Sequence, residues 1–384
     1  MKLQVPQIQI SSIDRTKKET FLVVDVGDRS FKYALCERER EGVHVLMLQI
    51  EDPELSSSDE VVSAAFSTVT ELFKNIKDVI FTFSPRYLKA HVKTVSFSRA
   101  APQSIINTAE EGNIEKRIIQ QAKEEIREKI VGQSGILSAE FQVNEMHIIE
   151  RTIEGYEVPR LSGFRGQQIE CTVRGSFLLV SAHIILEELA RRSHRKMPIV
   201  RHLANAVEQF GVMTEKDGVY LDMGSQSTQI IGMANGKVVY VDEIPFGGDD
   251  FNQIIEKSLG MRENTAQELK EQYANGQISI ELQQKMRDMM LPEAKKFTAI
   301  LQKKLQEISV MFPSKIFLFG GGSRLPEVAQ AIEEMDFQTL PFIDKPEVRM
   351  LSPKDLGTFR GGYDLANPRI TPLFFLVYAI AYAE

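Results

Sequence analysis

The 384-residue chain contains no tryptophan, only two cysteines and only six histidines. Cys36 and Cys171 both lie in apolar segments, so they provide neither a disulfide framework nor the paired spacing of a zinc site. The histidines are scattered along the chain without metal-ligand spacing. These scarcities favour a cytoplasmic protein without a cysteine- or histidine-based metal site.

Long hydrophobic runs are also missing. The first twenty residues lack the continuous apolar core of a signal peptide. The late apolar run, PLFFLVYAIAYA, is well short of the roughly 20 residues that a membrane helix needs. The formal net charge of -7 is spread along the chain, which argues against nucleic acid as a partner. The length allows two globular domains.

Two strand-rich segments begin alike. In TFLVVDVGDRSFKYALCERE, an apolar strand ends at Asp25 and Gly27 and is followed by a short polar turn and a return strand. GVYLDMGSQSTQIIGMANG repeats the pattern with Asp222 and Gly224. The similarity indicates an internal repeat of one supersecondary unit. The Asn-Gly pair at 235–236, between apolar runs, predicts a β-hairpin in the second unit.

A third segment, KIFLFGGGSRLPEVAQAIEE, places three glycines and Ser323 between an apolar strand and a helix that opens near Pro326. Turns rich in glycine and hydroxyl residues form concavities of backbone N–H groups that bind anions. Two facing turns would hold a polyphosphate, with Asp25 and Asp222 organising a hydrated Mg²⁺, and the third turn would meet the nucleoside. One such turn alone is more often an ordinary connection, but three in this order favour a nucleotide site.

The order of these turns resembles the actin/Hsp70/sugar-kinase superfamily over nearly the whole chain. The resemblance implies an α/β, actin-like (ribonuclease H-like) two-domain fold that binds ATP and Mg²⁺ in the interdomain cleft. The expected boundaries are 20–82, 167–197 and 371–384 for domain 1, 83–166 for an insertion, and 198–365 for domain 2, with a helical subdomain at 249–308.

The predicted insertion makes the resemblance to this superfamily more specific. A long amphipathic helix, INTAEEGNIEKRIIQQAKEEIREKI, precedes strands around a turn-rich centre. The pattern of Gly155-Tyr156, Pro159 and the segment 163–166 is similar to the extra α+β subdomain of the bacterial cell-division protein FtsA and of its pilus-assembly relative PilM. The passage from 155 to 166 favours FtsA, whereas Lys32 and the end of the chain at Glu384 favour PilM.

Three functions follow from the resemblance. The first is an FtsA-like protein that binds ATP, forms filaments with itself, and links the division ring to the membrane through FtsZ and membrane divisome proteins. The second is a PilM-like scaffold that binds a peptide of an inner-membrane pilus protein. The third is a small-molecule kinase or polyphosphatase of the same superfamily, which the insertion disfavours. The first two place the protein in the cytoplasm, peripheral to the inner face of the membrane.

Membrane contact is expected to be indirect. FtsA relatives end in an amphipathic helix that lies on the membrane surface, but nothing after AIAYAE has that character. The stretch 371–383 is apolar nearly all round, which predicts a buried element of domain 1. The chain is therefore expected either to be truncated or to reach the membrane through a partner.

The resemblance also implies a set of nucleotide-binding residues. Those residues are Asp25, Gly27, Asp28, Arg29, Ser30 and Lys32 in the first turn, Asp222, Gly224, Ser225, Gln226, Ser227 and Thr228 in the second, Gly247 and Gly248 before a helix, Gln267 and Lys270 on one helix face, and Gly320, Gly321, Gly322, Ser323 and Arg324 in the third turn. Gln226 is expected to crowd the phosphates, and Asp28 to repel them. Arg29 could pair a phosphate.

Hydrolysis is expected to be slow at most. In hydrolytic relatives the helix that joins the domains opens with an acid, but VRHLANAVEQFG places Arg201 there. Arginine cannot act as a base at neutral pH, and Gln226 is the alternative residue for positioning water. The sequence therefore predicts an ATP-binding protein that retains its nucleotide.

Overall fold

The computed structural model describes residues 19–39, 42–53, 57–73 and 76–382. The amino-terminal segment without a predicted signal peptide and the chain end at Glu384 lie outside the described residues. The strands are β1 (Thr20–Val26), β2 (Phe31–Glu39), β3 (Gly42–Glu51), β4 (Asp78–Phe83), β5 (Leu88–Ser98), β6 (Phe141–Ile153), β7 (Tyr156–Glu157), β8 (Gln168–Leu179), β9 (Ile199–Val200), β10 (Gly218–Met223), β11 (Thr228–Ala234), β12 (Lys237–Ile244), β13 (Lys315–Phe319), β14 (Glu347–Met350) and β15 (Phe359–Arg360). The α-helices are α1 (Ser58–Phe73), α2 (Thr108–Ser134), α3 (Val180–Arg192), α4 (Leu203–Thr214), α5 (Gly248–Leu259), α6 (Glu263–Ala274), α7 (Ile280–Gln306), α8 (Pro326–Glu333) and α9 (Thr371–Ala381).

Two sheets share one topology. The first has the order β15-β3-β2-β1-β4-β9, and the second β12-β11-β10-β13-β14. In both, a three-stranded antiparallel meander is followed by a parallel neighbour of its first strand. The predicted internal repeat is therefore present. Strands β1 and β10 are buried on both faces, which explains their nearly continuous apolar sequences.

Helices α4 and α9 lie between the two sheets. One hydrophobic core joins Phe210 of α4 and Phe375 of α9 to Val23 of the first sheet and to Tyr220 of the second. Every residue from Thr371 to Ala379 is buried, so this segment is the buried element that its apolar sequence predicts. The two domains consequently share a core directly behind the ends of β1 and β10.

Helices α5, α6 and α7 form a layer on the other face of the second sheet. They run from residue 248 to residue 306, in the region where a helical subdomain is predicted. Helix α5 begins after Gly247 and ends at Leu259, and the Gly260 that follows has a left-handed backbone with a φ of 64°, a conformation that favours glycine at a helix end. Within the described residues, no helix is both long and apolar enough to cross a membrane.

The insertion forms a separate antiparallel sheet with the order β5-β8-β6-β7. Helix α2 packs against it through residues spaced at about one helical turn, Ile114, Ile118, Ala122, Ile126 and Ile130. The helix begins where the side chain of Asn107 accepts a hydrogen bond from the Glu110 amide at 2.9 Å. Because β8 pairs with both β5 and β6, this sheet continues to Leu179, beyond the expected end of the insertion at residue 166.

The insertion also contacts domain 2. Nδ1 of His91 on β5 lies 2.8 Å from the Val241 carbonyl oxygen on β12. The neighbouring Asp242 carboxylate is buried, accepts from Lys304 Nζ at 2.9 Å and lies 4.0 Å from Lys129 Nζ of α2. We refer to this group of contacts around Val241 and Asp242 of β12 as the rear contact. The insertion therefore contacts domain 2 as well as domain 1, with which it is continuous in sequence.

Candidate functional site

A cavity of about 400 Å³ lies between the domains. Small-molecule sites typically have volumes of about 300–1,000 Å³. The three turns predicted from the sequence meet at its walls, together with the start of α5 and one face of α6. The predicted residues that line it are Asp25, Gly27, Asp28, Arg29, Ser30, Lys32, Asp222, Gly224, Ser225, Ser227, Gly248, Gln267, Lys270, Gly320, Gly321, Gly322 and Arg324.

Four predicted residues do not line the cavity. Gln226 is exposed, so it does not crowd the space as expected. Thr228 is fully buried and its hydroxyl donates to the Phe246 carbonyl at 2.8 Å. The Ser323 hydroxyl is likewise buried and donates to the Gly320 carbonyl at 2.7 Å. Gly247 has a structural role, because a Cβ there would overlap the backbone of the second turn.

The first turn holds a buried ion pair. The Gly27 amide donates to the Ser30 carbonyl at 2.8 Å and closes the turn. The hairpin register then places Asp25 opposite Lys32, and Lys32 Nζ lies 2.8 Å from Asp25 Oδ2. Both side chains are only 9% exposed. The lysine therefore neutralises one of the two carboxylates predicted to organise Mg²⁺.

The second carboxylate, Asp222, faces the same charges. Burial and, to a smaller extent, the negative charge of Asp25 raise the pKa of Asp222 to about 7, against the opposing effect of the positive charge of Lys32. Asp25, Asp222 and Lys32 form one electrostatic cluster, which we call the cleft triad. Near neutral pH a substantial fraction of Asp222 is protonated unless a further cation binds beside it.

Asp28 and Arg29 are both engaged by protein groups. The Ser84 hydroxyl donates to Asp28 Oδ1 at 2.7 Å, and burial raises the pKa of the Asp28 carboxyl. Arg29 reaches across the cleft, where Nε lies 2.8 Å from Asp249 Oδ2 and the guanidinium also pairs with Glu263. Instead of a free cation waiting for a phosphate, Arg29 is an ion-paired bridge between domain 1 and the helical layer of domain 2.

The second turn is held by the amino terminus of α5. The Gly224 amide donates to the Ser227 carbonyl at 2.9 Å and closes the turn. The Gly248 amide then donates to the Gly224 carbonyl at 2.9 Å, and the Asp249 amide donates to the Ser225 carbonyl at 2.8 Å. Since these first amides of α5 are occupied, they fix the turn in place and are not free to bind an anion.

The third turn lines the cavity with the backbone of its glycines, which carry no side chains. Gly320 has a φ of +90°, and a Cβ there would overlap Asp222 Oδ1. A Cβ at Gly322 would overlap the Met223 side chain. Opposite this turn, Lys270 Nζ donates to the Gly248 carbonyl at 2.7 Å, and burial lowers the pKa of Lys270 to about 8. Glycine is therefore required at Gly320 and Gly322 for the third turn to approach Asp222 and Met223.

The charges and the glycine-lined wall fit a nucleotide bound together with a cation. Seven acidic and five basic side chains line the cavity, and each basic one already has a hydrogen-bond or ion-pair partner. A polyphosphate alone would add to the excess of negative charge. Asp25 and Asp222 could hold a hydrated Mg²⁺, which needs only one or two carboxylates. In the described part of the chain, no third carboxylate, histidine or cysteine joins them at ligand distance.

Sequence reasoning missed several lining residues, among them Asp52, Ser84, Gln229, Asp249, Asn252 and Arg369. Gln229 had a detectable signal, because it is the cross-strand partner of Asp222 in the β10–β11 hairpin. Helix α4 presents Leu203 to the cavity rather than Arg201, whose amide donates to the Phe81 carbonyl at 2.9 Å. The helix therefore offers neither an acid nor an arginine at this wall.

Comparison with protein families gives one match. The family model of Cell division protein FtsA matches residues 219–372, which begin in β10 and end at the start of α9. No curated protein sequence matches the chain at a significant level.

Solved structures match over almost the full length. The PilM-PilN type IV pilus biogenesis complex is similar with a TM-score of 0.64 at 16% identity, over 94% of this chain and 98% of that chain. The ethanolamine utilization protein EutJ from Carboxydothermus hydrogenoformans has a TM-score of 0.47 at 10% identity, over 95% of this chain and 92% of that chain. MreB5 of Spiroplasma citri bound to ADP has a TM-score of 0.45 at 10% identity, over 95% and 99%. The first likeness establishes a shared fold, in agreement with the predicted architecture.

Proposed function

From its place in the actin-like ATPase superfamily, with a second domain that matches FtsA, we propose that this protein is a nucleotide-dependent scaffold at the inner face of the cytoplasmic membrane. It binds ATP with Mg²⁺ in the interdomain cleft and engages a membrane protein of a pilus or secretion assembly. The observation that supports this PilM-like role is the end-to-end structural similarity to PilM, which includes the insertion.

The FtsA-like role is the second candidate. It is supported by the family match over residues 219–372, and it adds filament formation and contact with FtsZ at the division ring. Both roles require the same nucleotide site, so they differ in the partner and in filament formation. Sequence reasoning ranked the FtsA-like role first, whereas the full-length likeness to PilM favours the scaffold.

The insertion supplies an exposed apolar surface for such a partner. Tyr156 is 77% exposed, Ile105 60% and Phe164 41%. Ile105 and Phe164 belong to adjacent segments, because the Ile106 amide donates to the Phe164 carbonyl at 2.8 Å. Large exposed aromatic residues commonly provide the central contacts of an interface.

Partner capture tests the two roles separately. The purified chain is mixed either with the cytoplasmic segment of the PilN protein from the same genome or with FtsZ polymers. We expect capture of the PilN segment, with Tyr156→Ala and Phe164→Ala weakening it at least tenfold. Ile280→Ala is the matched control, because Ile280 is 83% exposed but lies on α7. Co-pelleting with FtsZ and no capture of the PilN segment would favour the FtsA-like role.

Slow turnover is part of the proposal. Arg201 lies outside the cavity and Leu203 occupies the adjoining wall, so α4 supplies no general base, a group that typically contributes about 10²–10⁴-fold. A phosphate-release assay with Mg-ATP, beside a binding titration, tests this. We expect tight binding that Asp222→Ala abolishes, with turnover far below the typical enzyme rate of about 10 per second. Turnover near that rate would contradict the proposal.

A further inference from the structure

Gln229 lines the cavity, although sequence reasoning assigned it no function. It is 6% exposed and stands opposite Asp222 in the hairpin register. Gln267 and Lys270 of α6 also line the cavity, and the family resemblance implies that this helix face contacts the nucleoside. As the cross-strand partner of Asp222, Gln229 is placed beside the cleft triad, and a nucleotide whose Mg²⁺ is held by Asp25 and Asp222 would have its terminal phosphates there.

A buried histidine fixes the orientation of this side chain. His202 is 2% exposed and precedes α4, where its Nδ1 accepts a hydrogen bond from the Ala204 amide at 3.1 Å. Burial lowers the pKa of His202 to about 3, and the positive charge of Arg174 contributes to this. The ring is therefore neutral at physiological pH. A neutral ring whose Nδ1 accepts a hydrogen bond carries its proton on Nε2.

The Nε2–H of His202 requires an acceptor. The atom that lies 3.1 Å from His202 Nε2 is the amide nitrogen of Gln229, Nε2. An amide NH₂ in that position would place two donors against each other, so the Gln229 amide takes the orientation that turns its oxygen towards the histidine. The hydrogen bond then runs from His202 Nε2–H to Gln229 Oε1. The Gln229 NH₂ group consequently turns away from His202.

We propose that Gln229, oriented by His202, recognises the terminal phosphate of a nucleoside triphosphate by donating amide N–H bonds to its oxygens. This inference rests on the proposed nucleotide site and names the group that distinguishes a triphosphate from a diphosphate there. An amide suits this task beside the carboxylates of the cleft triad, because it donates hydrogen bonds without adding charge. His202 is a positioning residue and does not touch the nucleotide.

The test compares two ligands, Mg-ADP and the Mg complex of a non-hydrolysable ATP analogue, by calorimetric titration of the full chain. We expect the wild type to prefer the triphosphate. Gln229→Leu should weaken triphosphate binding about tenfold, equivalent to about 1.4 kcal/mol, and leave diphosphate binding nearly unchanged. His202→Asn retains a residue suited to begin α4 but removes the imidazole, so it should lower the same preference.

The control is Gln267→Leu, which should weaken both nucleotides by the same factor because Gln267 lies on the helix face that the resemblance assigns to the nucleoside. Thermal unfolding of each variant shows whether it is folded. An unchanged triphosphate-to-diphosphate ratio in folded Gln229→Leu would overturn the inference and leave the nucleotide site standing. Absence of binding to either nucleotide in the wild type would overturn both the inference and the proposed function.

Discussion

Replacement of Lys32 by methionine tests the cleft triad directly. The side chain of Lys32 is 9% exposed and its ammonium lies 2.8 Å from Asp25, with Asp222 in the same electrostatic field. Methionine fills a similar volume but leaves the carboxylates without their cation. Breaking a buried ion pair by removal of one partner typically costs about 3–5 kcal/mol. We expect Lys32→Met to lower the free energy of unfolding by about that amount at pH 8.

The loss should depend on pH with a defined sign. In the wild type the folded-state pKa of Asp222 is about 7, above its ordinary value of 3.8. The folded protein therefore binds more protons than the unfolded chain between about pH 4 and pH 7, and its stability falls as the pH rises through that window. In Lys32→Met the uncompensated charge is largest above pH 7, so the destabilisation should shrink towards pH 5.

Urea unfolding followed by circular dichroism at pH 8 and pH 5, without nucleotide, measures both effects. Lys295→Met is the matched control, because Lys295 and its partner Glu334 are 58% and 47% exposed, and such surface pairs contribute about 0–1 kcal/mol. The reasoning would be refuted if Lys32→Met cost no more than Lys295→Met at pH 8. A loss that increased towards pH 5 would contradict the assignment of Asp222.

Gly320→Ala should destabilise the protein by more than the roughly 1–2 kcal/mol that a left-handed backbone costs a non-glycine residue, and it should abolish nucleotide binding, because the added Cβ overlaps an aspartate oxygen. Gly276 also has a positive φ, but no atom lies within 4 Å of a Cβ there, so denaturation with a binding titration compares Gly320→Ala with Gly276→Ala. Arg29→Met should accelerate release of a fluorescent ATP analogue in stopped-flow measurements several-fold, because it removes the ion pairs across the cleft, and an unchanged rate would contradict that role. Asp242→Ala should increase amide hydrogen exchange in β5 and β12, because it leaves Lys304 without its buried carboxylate.

Much of the architecture could be predicted because its signals are local. Strand, turn and return strand recur around Asp25 and Asp222, and the repeat alone specifies two sheets of one topology. The hairpin turn at 235–236 has the positive φ values, 53° and 71°, that an Asn-Gly pair favours. The apolar stretch at the carboxyl end is buried nearly all round, as its lack of a polar face predicts.

The chemistry of the cleft was harder to predict because it depends on pairing between distant segments. The sequence predicts that Arg29 binds a phosphate, but in the structure α5 places Asp249 beside it as an ion-pair partner. The sequence predicts that Gln226 crowds the phosphates. In the structure, Gln229 of the strand that begins at Thr228 lines the cavity, and Gln226 is exposed. A turn sequence shows which residues are near the ligand, whereas their final partners are set by tertiary contacts.

The rear contact connects the insertion to domain 2 and so links the insertion to both domains. The insertion follows β4 and leads into α3, so it is continuous with domain 1 at both ends. It contacts domain 2 through His91 of the insertion and around Asp242 of domain 2. Arg29 joins the same two domains on the cleft side. The chain connections to domain 1, the rear contact and the Arg29 ion pairs form a closed circuit of contacts, so none of them can open without affecting the others. A movement of the insertion relative to domain 2 is therefore expected to strain the Arg29 ion pairs across the cleft as well.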